Sequence, residues 1–499
     1  MFASFILVSA LLFISLYSLS LIFFSSRKNS TSASGGNKQQ HPPGSSSWSF
    51  ISETIEYIRA SLDGVPEKFF FERFKKYSSQ VFTTSLFGET VVVIGGTASG
   101  NKFLFSNEYK LINTWFPKSI LEIFPFAKTN VGNPAGHKSL RKLYSQLLNP
   151  ESVHKYIGVM DLMTAQHFET DWDKNMHTDE VIITVQPLVK KHSFAIACRL
   201  FLGIDYQQEA SRIHELHKLF CVVMSGFLSL PINLPGTQLN RAIKSSKLIR
   251  QEIQKAVRKR KINVLSHGDS PMQDMLSRLI DLSEEEDRGI DEMYIVELMV
   301  GIIFGGITSM GVVLTLVMNY LADFPNVYKE VLKEQMEVAS SKGTRELLNW
   351  DDIQKMKYSW NVVREVMRVA TPSPVGFKRA SEDFWYDGYF IPKGRKLVWS
   401  SAATHMSPDY FPDPEKFDPS RFEGDGPAPY TFIPFGGGPS LCPGQEYARL
   451  EILVFLHHVV RRYKWDKPMP TDVNKEEKIV FKPYPLLTKG LAIHIRPHL

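Results

Sequence analysis

Cys442 sits in the segment Phe435-Gly436-Gly437-Gly438-Pro439-Ser440-Leu441-Cys442-Pro443-Gly444, and its setting favours an ionised sulfur. Leu450, Leu453, Val454, Leu456, Val459 and Val460 recur at helical spacing, so Gln445–Arg462 reads as an amphipathic helix. The cysteine therefore precedes a helix N-terminus, where the dipole and free N–H groups favour thiolate over thiol. Glycines on both sides let the backbone approach a flat, bulky partner without a Cβ clash. A thiolate held against a large planar cofactor is what a sulfur-ligated haem iron requires, and such a ligand favours O–O cleavage. A small buried cysteine in a Gly-rich loop is the plainer alternative. Zinc is not indicated, because no second cysteine or histidine stands at ligand spacing.

The Phe–x–x–Gly–x–x–x–Cys–x–Gly spacing of Phe435, Gly438, Cys442 and Gly444 resembles the haem-binding loop of the cytochromes P450. That resemblance implies haem b with Cys442 as the axial iron ligand. Further matches follow in the family's order. Glu365-Val366-Met367-Arg368 resembles its Glu–x–x–Arg pair, with Arg421 as third member of a structural triad. On its own such a pair more often marks a solvated helix face. His137 and Arg141, four residues apart, and the adjacent Lys378 and Arg379 fall where the family binds the haem propionates. Stretches at 82–87, 101–108, 231–237, 349–361, 415–423 and 442–455 are similar to plant P450s that oxidise triterpenoids, the β-amyrin 28-monooxygenase-like group.

Two departures from the family pattern bear on chemistry. Gly305-Gly306-Ile307-Thr308-Ser309 stands where oxygen activation usually needs Gly-Gly-x-Asp/Glu-Thr. Gly306, Thr308 and Ser309 are the catalytic candidates by position, yet Thr308 cannot titrate near neutral pH. The haem-loop arginine expected two residues before the cysteine is Ser440. Losing one charge-assisted bond of about 1.5–3 kcal/mol predicts looser haem retention, unless Arg141, Lys378 or Arg379 compensates. A change confined to Ser47, Ser49 and Ser52 alters only the loop after Pro42-Pro43-Gly44.

The elements that must carry these residues are mainly helical. Helical periodicity dominates, with strand-like runs at 81–86, 90–94, 383–390 and 396–400 and a hairpin turn at Gly88 and Glu89. The longest helical candidate, 291–324, carries one charge, Glu297, through its apolar centre, so hydropathy alone permits a membrane span or a buried core helix. The P450 resemblance implies the buried helix that crosses the haem's oxygen-binding face. The fold expected is thus mainly α with small β-sheets (α+β), the cytochrome P450 fold, behind a single N-terminal transmembrane helix.

Residues 1–24 hold no charged side chain, and as a helix would span about 36 Å, enough for a hydrocarbon core of about 30 Å. Arg27 and Lys28 follow, which places the rest of the chain in the cytosol. A cleaved signal peptide fits less well, since the run is long, lacks a basic start and ends in bulky residues. Residues 25–41 read as a flexible linker and 42–499 as one haem-thiolate domain. The 499 residues are 43% apolar and 22% charged, which excludes collagen-like, coiled-coil and wholly disordered chains. Three cysteines exclude a disulfide scaffold. A net charge of +6 is too mild to call for nucleic acid and suits a membrane lipid surface or an acidic protein.

No Gly-rich dinucleotide fingerprint is present, so electrons must come from a separate protein; the resemblance implies NADPH–cytochrome P450 reductase in the endoplasmic reticulum membrane. Lys138, Lys142, Arg449, Arg461, Arg462 and Lys464 are its candidate contacts. The reaction expected is insertion of one oxygen atom from O2 into a C–H bond of a hydrophobic plant metabolite, a triterpenoid first, with a diterpenoid, sterol or small aromatic as alternatives. A reductase-independent haem-thiolate isomerase or dehydratase, and a haem-binding protein without turnover, are the competing readings.

Overall fold

In the computed structural model the described residues are 40–45, 50–131, 133–175, 181–227, 229, 231–266, 274–285, 290–343, 346–468 and 477–498. The expected anchor at 1–24 and nearly all of the linker at 25–41 lie outside them, as do Ser47 and Ser49.

Helices dominate, and the longest, Glu292–Asp323, runs through the centre of the core. Asp291 caps it by accepting the Tyr294 N–H at 2.7 Å, and Pro325 opens the next helix, Pro325–Ser340, where the backbone turns. It is long and apolar enough to cross a membrane, but most of it is buried against the Val185–Leu202, Gln238–Ser266 and Lys357–Val369 helices. Its lone central acid, Glu297, is paired with Arg250 at 2.5 Å. Gly311 is needed for close approach, since a Cβ there would stand 2.8 Å from Lys190 Cγ.

The largest sheet has five strands in the order Phe82–Leu86, Glu89–Val93, Lys396–Trp399, Gly376–Ala380 and Ile112–Thr114. Only the second and third run parallel. The first hairpin turns at Phe87–Gly88, both with positive φ, and Glu89 already pairs with Leu86; the turn thus falls one residue earlier than expected. Val181–Thr184, Ala492–Pro497 and Tyr463–Asp466 form a second sheet. Gln445–Arg462 is helical, as its periodicity predicts, and its Leu450, Leu453, Val454, Leu456, Val459 and Val460 are all buried. We call it the proximal helix.

Candidate active site

The cysteine loop is held from four directions. The Cys442 N–H donates to the Phe435 carbonyl at 2.9 Å. Arg141, on the Pro134–Leu147 helix, donates to the Leu441 carbonyl. The Ser440 N–H donates to Glu108 at 3.1 Å. Gly438 adopts positive φ, and a Cβ there would meet the Phe105 carbonyl oxygen at 2.5 Å, so only glycine fits. Cys442 itself is a free, solvent-accessible thiol before the proximal helix. The protein packed around it pushes the thiol up, and the Gly444 N–H and then Arg141 offset this only in part, so the loop by itself does not give the ionised sulfur expected from the helix N-terminus. At Gly444 a Cβ would come within 3.9 Å of the sulfur.

Across the core, the long helix is buried along most of its length but keeps one stripe open. Gly305 is exposed, and Gly301, Thr308 and Ser309 on the same face are half-buried. Nothing lies within 4 Å of where a Gly305 Cβ would be. The Ser309 hydroxyl donates to the Gly305 carbonyl at 2.9 Å. Gly306 points elsewhere: its Cβ position is 3.0 Å from Phe201 and 3.8 Å from Tyr447, which makes it a packing contact behind that stripe. Phe304 carries an aromatic wall, with Phe124 and Phe227 at centroid distances of 4.8 and 5.5 Å.

The structural triad is assembled. Arg368 makes a bidentate pair with Glu365, both bonds 2.7 Å, and both side chains are fully buried. Arg368 also donates to the carbonyls of His405, Pro414 and Lys416, and the Asp418 N–H donates to Glu365. Arg421 lies 3.5 Å from Glu365 and donates to the Pro412 and Asp413 carbonyls.

The basic residues read as propionate partners divide. Lys378 and Arg379 are neighbours on one strand, so they point to opposite sides; Lys378 is buried and Arg379 exposed. Lys378 is committed to Glu108, with Nζ 2.5 Å from Oε1. Thr114 donates to the same carboxylate at 3.0 Å, and the Ser440 hydroxyl donates to it as well. Glu108 is also a desolvated group, which alone would raise its pKa; the Lys378 charge and these bonds bring it below the usual range. His137 is buried, 2.7 Å from the Tyr109 hydroxyl, and burial pushes it down to about 4 against the pull of Glu108. It is a neutral imidazole at neutral pH. Arg141 keeps a buried Nε with no hydrogen-bond partner. Glu108, Tyr109 and Thr114 were not singled out from sequence, where nothing marks them as neighbours of Ser440.

These residues fit a sulfur-ligated haem. The thiol is free and preceded by glycines, Arg141 has an unpartnered donor beside the loop, and Gly305 leaves room on the long helix. A mainly helical fold with small sheets and such a loop defines the haem-thiolate monooxygenases. The chain belongs to the cytochrome P450 family, whose model matches residues 42–489. It is 47% identical over 455 residues to a β-amyrin 28-monooxygenase of Vitis vinifera, covering 91% of this chain and 92% of that one. A β-amyrin 28-monooxygenase of Medicago truncatula is 44% identical over 495 residues, 99% of each chain. Among solved structures, retinoic acid bound cyanobacterial CYP120A1 superposes with a TM-score of 0.78 at 25% identity, over 92% of this chain and 100% of that one. The chain is thus a cytochrome P450 monooxygenase related to plant triterpenoid oxidases, and its family implies a thiolate-ligated haem, a reductase partner and a hydrophobic substrate.

Proposed function

We propose that this protein hydroxylates a triterpenoid, inserting one atom of O2 into an unactivated C–H bond with electrons relayed from NADPH by the membrane-bound P450 reductase. The observation that carries this reading is identity of 44–47% with β-amyrin 28-monooxygenases over nearly the whole chain. In the same reading residues 1–24 anchor the protein in the endoplasmic reticulum, 25–41 are linker, and 42–499 form the cytosolic haem domain. Haem b, when bound, supplies the reductive activation of O2, and the second oxygen atom leaves as water.

The chain's own residues do the rest. Cys442 would ligate the iron, and Phe435, Gly438 and Gly444 shape its loop. Arg141 would hold a propionate, with neutral His137 beside it. Lys378, tied to Glu108, supports the loop through Ser440 more than it serves the cofactor. Ser309 lies on the open stripe with its proton engaged by Gly305, so it receives a hydrogen bond there and donates only if that bond breaks. Phe124, Phe227 and Phe304 offer a broad apolar wall to a polycyclic substrate. Ile232 and Leu234, 48% and 61% exposed, lie just beyond Phe227 and suit a substrate mouth at a lipid surface.

Microsomes containing the protein, supplied with β-amyrin and related triterpenoids, test this. A product heavier by one oxygen atom, formed only with NADPH and reductase, is the expected result. Product formed without either would mean isomerisation or dehydration, and no product from any triterpenoid would overturn the substrate assignment.

A further inference from the structure

Several tyrosine hydroxyls in this protein are committed to the fold. Tyr328 donates to the Tyr463 carbonyl and Tyr463 to Asp173, Tyr410 accepts from the Ala98 N–H, and Tyr109 pairs with His137. Tyr144, one turn beyond Arg141 on the Pro134–Leu147 helix, is different. Its hydroxyl makes no hydrogen bond among the described residues, and the side chain is only half-buried, so the oxygen borders open space. The charged and phenolic groups that bear on it are engaged elsewhere. Arg141 holds the cysteine loop, Glu297 is paired with Arg250, and the Tyr294 ring lies edge-on to Phe126.

The hydroxyl is aimed at the long helix. A Cβ on Gly301 would stand 2.5 Å from the Tyr144 oxygen and 3.6 Å from the ring carbon that bears it, so the hydroxyl takes the place of a side chain at 301. Gly301, Gly305 and Thr308 recur at i, i+4 and i+7 and therefore share one face, the open stripe, with the wall of Phe124, Phe227 and Phe304 along it. Thr308 and Ser309 lie about 10–12 Å further along at the ordinary helical rise. Burial raises the Tyr144 phenol above its ordinary pKa, so it stays protonated and able to donate at physiological pH. The stripe is thus apolar in its middle and carries a hydroxyl at each end. A triterpenoid alcohol has the complementary form: rigid fused rings with an oxygen at one end and unactivated C–H bonds at the other.

We infer that Tyr144 is a specificity-determining residue, whose hydroxyl hydrogen-bonds the oxygen the substrate already carries and so fixes which carbon lies at the Thr308–Ser309 end. This rests on the triterpenoid reading above. The bond orients the substrate and takes no part in the chemical step. A substrate without that oxygen would leave the Tyr144 hydroxyl unpaired in an apolar complex, which is a source of discrimination.

β-Amyrin, an alcohol, and the same ring system with that hydroxyl removed form the test pair, added to microsomes containing the full chain. Binding is read from the substrate-induced change in the haem spectrum, and a red-shifted ferrous–CO band certifies that each variant is folded and thiolate-ligated. Tyr144→Phe removes only the oxygen. It is expected to weaken binding of the alcohol about tenfold and to scatter oxidation over more carbons, while binding of the deoxy compound stays within about twofold of wild type. Wild type should itself prefer the alcohol by a similar factor. Gly301→Ala, whose methyl displaces the hydroxyl, should weaken binding of the alcohol as much and add nothing further in the Tyr144→Phe background. Equal losses for both compounds, or none for the alcohol, would reduce Tyr144 to a packing residue and overturn the inference. Wild-type affinity in Gly301→Ala would overturn it as well. If wild type bound no triterpenoid alcohol, the substrate assignment would fall and take the inference with it, a result seen before any variant is made.

Discussion

Two glutamates in this protein are fully buried and treated in opposite ways. Glu365 receives two bonds from Arg368 and one from the Asp418 N–H. Glu451 has no cationic partner, and only the Ser193 and Tyr447 hydroxyls bear on it. Desolvation is comparable, so the difference lies in what each site was built to hold. A saturated network locks loops together: Arg368 fastens three separate carbonyls around it. An unsaturated one spends stability on a group whose protonation can change. A buried acid whose lone pairs are all claimed by a cation and N–H groups thus ties segments together, whereas one without a cation is held toward its protonated form.

The contrast is broken most sharply at Glu365. Glu365→Gln leaves the Arg368 guanidinium buried without its carboxylate, which costs about 3–5 kcal/mol, a large part of the about 5–15 kcal/mol that holds a domain together. The expected outcome is near-complete loss of haem-bound protein, measured by the ferrous–CO band per milligram of membrane. Glu451→Gln should give close to normal amounts. Equal loss in both would mean that the two sites do not differ in kind.

Glu108 stands between these extremes, saturated but next to the cofactor loop. Glu108→Gln is expected to cost about 1.5–3 kcal/mol, because the bonds it loses are charge-assisted. Its pKa is lowered on folding, so its stabilisation is complete above the unfolded value of about 4.3 and disappears as pH falls through the folded one. Chemical denaturation from neutral to acid pH should therefore show a shallower loss of stability in Glu108→Gln than in wild type. Ser440→Arg asks the converse question. An arginine there competes for Glu108, releases Lys378, and adds a donor next to the loop; transfer of haem to apomyoglobin should slow about tenfold or more. An unchanged rate would show that Ser440 does not limit haem retention.

What could be read from sequence followed the range of the interaction. The proximal helix was legible to its ends, because apolar spacing and the preceding glycines are local signals. The long helix was legible too, from Asp291 at one end and Pro325 at the other. Its burial needed the P450 resemblance, since hydropathy treats lipid and core alike. Lys378 and Arg379 both looked available for a propionate, although strand alternation allows only one of them on each side. That Lys378 belongs to Glu108 depends on three distant segments meeting, and no spacing along the chain records it. Glu451 hid for the same reason: on a helical wheel it is one acid among apolar residues, and its burial comes from distant segments packed around the proximal helix.

The smallest effects should come from charges that solvent already satisfies. Of the candidate reductase contacts, Lys138, Lys142 and Lys464 are exposed, whereas Arg449, Arg461 and Arg462 are half-buried. Arg449 stands over Trp350 and 3.7 Å from Glu446, Arg461 donates toward His457, and Arg462 reaches Glu169 and Asp173. The arginines are thus held by protein partners, although Arg449 and Arg461 each keep a buried Nε without one, and the lysines face solvent. Lys138→Glu with Lys142→Glu should leave folding within about 0.5 kcal/mol of wild type. It should raise the reductase concentration needed for half-maximal turnover about two- to fivefold at low ionic strength, with the difference shrinking as salt is added. Arg449→Glu should instead lower the yield of haem-bound protein at every salt concentration. If the lysine pair cost yield and the arginine only docking, exposure would not be what separates a steering charge from a structural one.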